Sequence, residues 1–445
     1  MATMTEAVAV EQYELHSLPS PQTGPPSETP SETPLDNRKA PISKLLSAGF
    51  SFFVAGVNDG SIGALLPYII RQHNVSRAIV SAIYAANFFG WFASALVNTH
   101  LVQSLHLGVL LALGAGLQVL AHVLRSWNPP FPLFVVTFFL ASLGQAFQDT
   151  HGNTFVAGCG SKPHRWLAFI HAMYMAGCLI GPFVSTAVAS TGTDETPRWF
   201  LFYVFPLGLG VINLVWCMFA FRDSLKFKTR VPKSAEGEEG DGDNAGEIVR
   251  ATLATPSVWL LSAFFFFYLG AVLTASGWVV EYLVDVRHGD LAKMGYVPAG
   301  FNGGCLLGRL LLAEPTHRFG PRKMVFGYII SALGLQLIFW LVPNIIAASI
   351  AVSLVGFFTG PLFATGISLG SKLFPQKIQS NALALVFVFA QMGGSLFPII
   401  TGIISSNVGV QVLQPILVGL LAATAVAWLC VPREKKVNGG ELHAD

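Results

Sequence analysis

Long apolar stretches fill most of this chain, and the charged residues that bound them fall at spacings suited to membrane-crossing helices. About 20 apolar residues suffice to cross the roughly 30 Å hydrocarbon layer. Lys44 and Arg71 bracket the first stretch, and Asp59 is its single formal charge. Between Arg77 and Arg125 lie 47 uncharged residues, read as two helices with a turn near NTHLVQSLH. Only Asp149 interrupts the next window, which ends at Lys162 and gives one helix after the breaker NPPFP. Four further windows give single helices, the last beginning after Lys293. The 48 uncharged residues between Lys323 and Lys372, broken by VPN, and the 55 between Lys377 and Arg433, broken by SSNVGVQ, each give a pair. The pattern predicts an all-α polytopic membrane protein of twelve helices.

One long polar stretch, 222–250, divides these helices six and six and reads as a linker. Its GDGD matches a signature of intramembrane aspartyl proteases, but it lies among glutamates in a watery loop and is read as accidental. The predicted organisation is a tail at 1–43, six-helix bundles at 44–221 and 251–431, and a short tail at 432–445. The first tail is rich in Pro, Ser, Thr and Glu and is expected to be disordered, with no cleavable leader. Lys and Arg number 19 on the side of the amino terminus and six on the other, Arg125 being counted among the six. Such a bias predicts that both termini are cytoplasmic.

Composition agrees with this reading. The 445 residues are 53% hydrophobic and 11% charged, with a mean hydropathy of +0.58, whereas soluble chains carry about 25% charged residues. A net charge of +2, confined to loops and tails, offers no nucleic-acid-binding face. The cysteines Cys159, Cys178, Cys217, Cys305 and Cys430 are irregularly spaced and read as small buried hydrophobes, with neither metal site nor disulfide frame expected. Trp127, Trp199 and Trp259 lie near helix ends, where an aromatic belt is expected, and Glu281 is expected at the membrane interface. The sequon at Asn74 abuts the second helix, too close to the bilayer for use.

The two halves repeat weakly. FFVAG at 52–56 answers FFYLG at 266–270, GLQ at 116 recurs at 334, GSK at 160 recurs at 370, and Gly177 with Pro182 answers Gly393 with Pro398. Ordered matches at nearly constant offset suggest an internal duplication of the kind transporters carry. GRLLLAEPTHRFGPRK at 308–323 is similar to the loop signature of the major facilitator superfamily, and the resemblance covers about residues 44–431. It implies two six-helix bundles and a gating loop of Arg309, Arg318, Gly320, Arg322 and Lys323. Arg318, Arg322 and Lys323 also have a plainer reading as charges that hold the loop on the cytoplasmic side. The matching first-half loop lacks basic residues.

Buried polar groups carry the candidate chemistry. A charge at mid-bilayer costs roughly 2.5–3.5 kcal/mol even on insertion scales, so Asp59 calls for a functional explanation. Asn58 and Asp59 are flanked by Gly56, Gly60 and Gly63, which permit close helix approach. Gln145, Gln148, Asp149 and Gly152 share one face of the fourth helix, and the corresponding tenth helix has no acid. Two intramembrane carboxylates suit proton carriage, because burial penalises the charged form. The chain also resembles the fucose permease branch, which implies solute contact at Asn58 and Asp59 and makes Asp149 the leading proton carrier. His171, Tyr174, Asn302 and Gln391 are further cavity candidates. GCLIGPFVST at 177–186 is similar to an antiporter motif, with Gly177, Gly181 and Pro182 expected to bend and closely pack the fifth helix. A structural role for each of these groups stays open.

The expected protein is a secondary transporter that moves a small organic solute by alternating access with protons, a monomer in the plasma membrane needing no cofactor. No ATP-binding motif is present. The tail resembles transporters of filamentous fungi, which tilts the reading toward export of a secondary metabolite. Sugar-like uptake is the alternative, and a non-transporting nutrient sensor is the rival of another class.

Overall fold

In the computed structural model, residues 42–159, 163–193, 195–226 and 241–432 are described. Residues 1–41 of the expected tail and nearly all of the short carboxyl tail lie outside the described residues, as do linker residues 227–240, while Ile42 and Ser43 already belong to the first helix. The first half comprises α1 (Ile42–His73), α2 (Ala82–Ser104), α3 (Leu107–Arg125), α4 (Phe131–Ala157), α5 (Pro163–Ala189) and α6 (Val204–Ala220). The second comprises α7 (Pro256–Asp285), α8 (Val297–Leu311), α9 (Pro321–Leu341), α10 (Ile345–Leu373, re-forming after Gly360 and Pro361), α11 (Gln379–Val408) and α12 (Leu413–Cys430). Among the described residues, eleven spans meet the length and apolarity needed to cross a membrane. The twelfth, α8, has 15 residues and continues through Leu312 into the short helix Ala313–Phe319. The fold is all-α, two bundles of six.

Glycine sets the helix spacing in both halves. A Cβ on Gly56 would strike the Tyr174 carbonyl oxygen, and one on Gly177 the Phe53 carbonyl oxygen. Gly60 and Gly181 face Cys178 and Val57 in the same way, so α1 and α5 interlock through two Gly-x-x-x-Gly steps. Gly304 and Gly308 of α8 interlock likewise with Gly356 and Gly360 of α10. Without a driving force from water, such backbone approach is a main source of attraction between membrane helices. Gly177→Val therefore has nowhere to put its methyls. It is expected to lower the melting temperature in detergent, since overpacking costs about 1–3 kcal/mol even where side chains can adjust.

The halves press together at the end away from the chain termini. Gly63 of α1 meets the Ser276 carbonyl, and Gly295 sits against Thr186. Ala78 N–H donates to Ser406 Oγ at 2.7 Å. Arg77 bonds Glu281 Oε1 at 2.9 Å and Asp285 Oδ2 at 3.0 Å. At the opposite end, Lys44 at the start of α1 bonds Asp223 beyond α6 at 2.5 Å, and that hydrogen bond holds the Asp223 carboxyl below its ordinary range. α5 runs unbroken through Pro182.

Several charges and rings lie elsewhere than their sequence position suggests. Glu281, expected at the interface, is buried against Arg77. Trp199, expected in the belt, is enclosed by Phe134, His73 and Tyr203, whereas Trp127 and Trp259 are exposed. Arg125, counted as a loop charge, is fully buried. Four cysteines are buried, but Cys430 is exposed. For Glu281, Trp199 and Arg125, an ion pair, packed rings and hydrogen bonds respectively outweigh the preference of the residue type for water or headgroups.

The Arg77 clasp yields a direct expectation. Arg77→Ala leaves Glu281 buried without its partner, which costs roughly 3–5 kcal/mol. Spin labels placed across this end should report opening there in a much larger fraction of molecules than in the wild type.

Candidate functional site

α1 carries the centre of the site at its middle, where the close approach of α5 and the facing sides of α3 and α4 surround two adjacent polar residues. Asn58 is buried and Asp59 half-buried. Both carboxylate oxygens of Asp59 accept hydrogen bonds. Asn58 Nδ2 and Gln145 Nε2 donate to Oδ1 at 2.9 and 3.1 Å, and Tyr174 OH donates to Oδ2 at 3.0 Å. Gln145 Nε2 also reaches the Ala55 carbonyl at 3.3 Å. Three helices thus converge on one acid.

The positive counterpart comes from the end of α3. Arg125 Nη1 donates to Asn58 Oδ1 at 2.7 Å and its Nε to Thr137 Oγ1 at 2.6 Å. Its guanidinium lies 3.7 Å from the Phe138 ring centroid and 5.2 Å from that of Tyr203. Because the Asn58 oxygen accepts from Arg125, its amide nitrogen must face Asp59. Asn58 therefore links a cation and an anion that make no direct ion pair among the described residues. Sequence reasoning missed Arg125. The available signal was its place as the last residue of a 19-residue helix, with Gln118 and His122 preceding it on the same face.

The other candidates divide between this cluster and the surrounding frame. Asp149 lies one turn beyond Gln145 toward the termini, half-buried, with Asn153 as a hydrogen-bonding neighbour. Gln148 turns the other way, between α3 and α6. It accepts from Gln118 Nε2 at 2.8 Å and Asn213 Nδ2 at 3.2 Å, and donates to the Leu111 carbonyl at 3.1 Å. Asn213 in turn accepts from Ser51 Oγ at 2.8 Å. The α4 polar face is thus split, Gln145 serving Asp59 and Gln148 serving the bundle interior.

Groups from both halves meet around the cluster. Asn302 Nδ2 of α8 donates across the divide to the Cys178 carbonyl at 2.9 Å. His171 stacks edge-on against Phe52, with ring centroids 5.5 Å apart, and faces Phe363 of α10 at 6.4 Å. Arg309 donates to the Gly360 carbonyl at 3.1 Å and lies 5.7 Å from the Phe363 centroid. Gln391 on α11 is half-buried.

In the loop after α8, Gly320 takes a φ of +92°, the left-handed region that favours glycine. Arg322 donates to the Val431 and Leu429 carbonyls at 2.5 and 2.7 Å, closing the end of α12, where the helix dipole favours a cation. Arg318 and Lys323 are exposed. Among the described residues no group of three or more His, Cys, Asp or Glu is placed to hold a metal ion.

Two six-helix bundles that close on each other at one end, with half-buried acids and polar side chains near the divide, have the architecture of a membrane transporter. A family model described as Major Facilitator Superfamily matches residues 48–343 and 294–444, and the chain belongs to that superfamily. It is similar to Bypass of stop codon protein 6 of Saccharomyces cerevisiae, with 26% identity over 428 residues covering 90% of this chain and 85% of that protein. Among solved structures it shares its fold with a D-xylose-proton symporter, at a TM-score of 0.69 and 13% identity, covering 89% of this chain and 98% of the other. The E. coli fucose:proton symporter overlays at a TM-score of 0.59 with 18% identity, covering 89% and 100%.

Proposed function

We propose that this protein is a proton-coupled carrier of a small, uncharged, polyhydroxylated solute, with Asp59 as the group whose protonation is linked to solute binding. The observation that carries the reading is the convergence of Asn58, Gln145 and Tyr174 on the Asp59 carboxylate beside the divide between the halves. A carboxylate can accept from all three donors. A carboxylic acid must donate one hydrogen itself, so proton uptake frees at least one of these side chains to bond a solute hydroxyl. Intramembrane acids facing a bundle interior commonly serve proton relays.

Asp149, one turn nearer the termini, then passes protons between Asp59 and the end of the bundles that carries the termini. His171 and Phe363 supply ring faces from the two halves, against which the apolar side of a sugar-like ring can lie. Two fold neighbours named as sugar–proton symporters favour uptake over the export suggested by the tail composition. With Arg125 buried, the basic bias strengthens to 19 against five, which supports cytoplasmic termini. Opening would alternate between the Arg77 clasp and the opposite end.

The test is solute-evoked proton movement in proteoliposomes loaded with a pH-sensitive dye, using a panel of pentoses, hexoses, nucleosides and apolar metabolites. A proton signal with one polyhydroxylated class is expected. A signal with apolar metabolites alone would favour the export reading, and binding without flux would favour a sensor.

A further inference from the structure

We propose that the face of α3 formed by Gln118, His122 and Arg125 encloses a water site inside the first bundle, with the His122 imidazole at its centre. The three residues stand at i, i+4 and i+7 on one helical face, spanning about 10 Å along the axis. All three are buried, His122 and Arg125 completely. Four of their polar atoms have no protein partner among the described residues: Arg125 Nη2, both His122 ring nitrogens and Gln118 Oε1. Leaving such groups bare in a protein interior is costly, and internal water is the usual remedy where several converge.

The polarity of these atoms is matched along the face. Arg125 Nη2 can only donate, and Gln118 Oε1 can only accept. A neutral imidazole accepts on one nitrogen and donates on the other. In one tautomer, water between Arg125 and His122 takes a hydrogen from the guanidinium and gives one to the ring, and water between His122 and Gln118 takes the ring N–H and gives a hydrogen to the amide oxygen. In the other, the first water accepts from both the guanidinium and the ring, and the second donates to both the ring and the amide oxygen. Because water donates two hydrogens and accepts two, either arrangement satisfies all four atoms.

Gly210 of α6 lets the backbone approach Val119 and His122, and the Tyr203 ring lies nearly parallel to the imidazole at 6.4 Å. At one end of the site Arg125 continues to Asn58 and Asp59. At the other, Gln118 continues to Gln148, Asn213 and Ser51. Water at His122 therefore completes a polar chain through the first bundle that is separate from the divide between the halves, and it fixes the orientation of Arg125.

The test is water-edited nitrogen NMR of the full chain in lipid bilayers, with histidine labelled and the His122 signals identified by their loss in His122→Phe. The expected result is a ring that receives magnetisation directly from water. A ring that receives none would overturn the site. Melting temperature gives an independent reading. His122→Phe fills the volume but strands Arg125 Nη2 and Gln118 Oε1, so it should melt several degrees below wild type, with His122→Gln recovering part of the loss. His122→Phe as stable as wild type would mean that the face is dry.

Discussion

Replacing Asp59 by Asn should reduce proton-driven solute accumulation by roughly 5- to 150-fold, the factor that corresponds to a coupling free energy of about 1–3 kcal/mol between two bound ligands. Asn keeps the size of Asp and one acceptor oxygen, so Asn58 and Gln145 retain a partner. Its amide nitrogen faces Tyr174, whose hydroxyl can rotate to accept. The variant should therefore fold, and solute exchange without a gradient should survive. Loss of accumulation with exchange retained is the signature of a removed proton site. Loss of both would indicate that Asp59 serves binding alone. Measuring accumulation and equilibrium exchange on the same vesicles separates these outcomes.

Arg125 carries the second large effect. Arg125→Leu removes donors to Asn58 and Thr137 and the cation that offsets Asp59. Leaving these buried acceptors without their donor costs about 1–3 kcal/mol each. A membrane protein losing that much is expected to express poorly and melt early. Arg125→Gln is milder, since one amide N–H can still reach Asn58, but the charge is gone. Its loss of stability should therefore be smaller than that of Arg125→Leu. Arg125→Lys should also lose stability, because an ammonium lacks the planar fork that serves Asn58 and Thr137 together.

Much of the fold is legible in the sequence because the bilayer imposes a length on each apolar run. Charges at loops mark where those runs end, which is why counting between Arg77, Lys323 and Lys377 yields twelve helices. The same rule misleads wherever a charge leaves the loop. Arg125 ends α3, as expected, yet its side chain turns inward because Asn58, Thr137 and two aromatic rings receive it. Glu281 sits where an interfacial acid would sit, but Arg77 from 204 residues away neutralises it. No local pattern encodes either pairing.

The candidate site was partly legible for the same reason. Asp59 is visible as a lone charge in an apolar run, and the nearby glycines signal the close approach of α5. Helical periodicity correctly groups Gln145 with Asp149, yet it cannot tell that Gln148, 3.1 Å from the Leu111 carbonyl, faces α3 instead. A face about 100° wide can touch two neighbours, and only the packing decides which side chain meets which helix. Arg125 is the costliest omission, because it holds the Asn58 oxygen and so turns the Asn58 amide nitrogen toward Asp59.

The measurement that tests the account most directly is accumulation of a radiolabelled pentose or hexose, chosen from the panel by its proton signal, in proteoliposomes with an imposed pH gradient. Wild type, Asp59→Asn and Asp149→Asn are compared at equal reconstituted amounts. The account predicts uphill accumulation by wild type that collapses with a protonophore and is lost in Asp59→Asn while exchange persists. Accumulation in Asp59→Asn equal to wild type would contradict it.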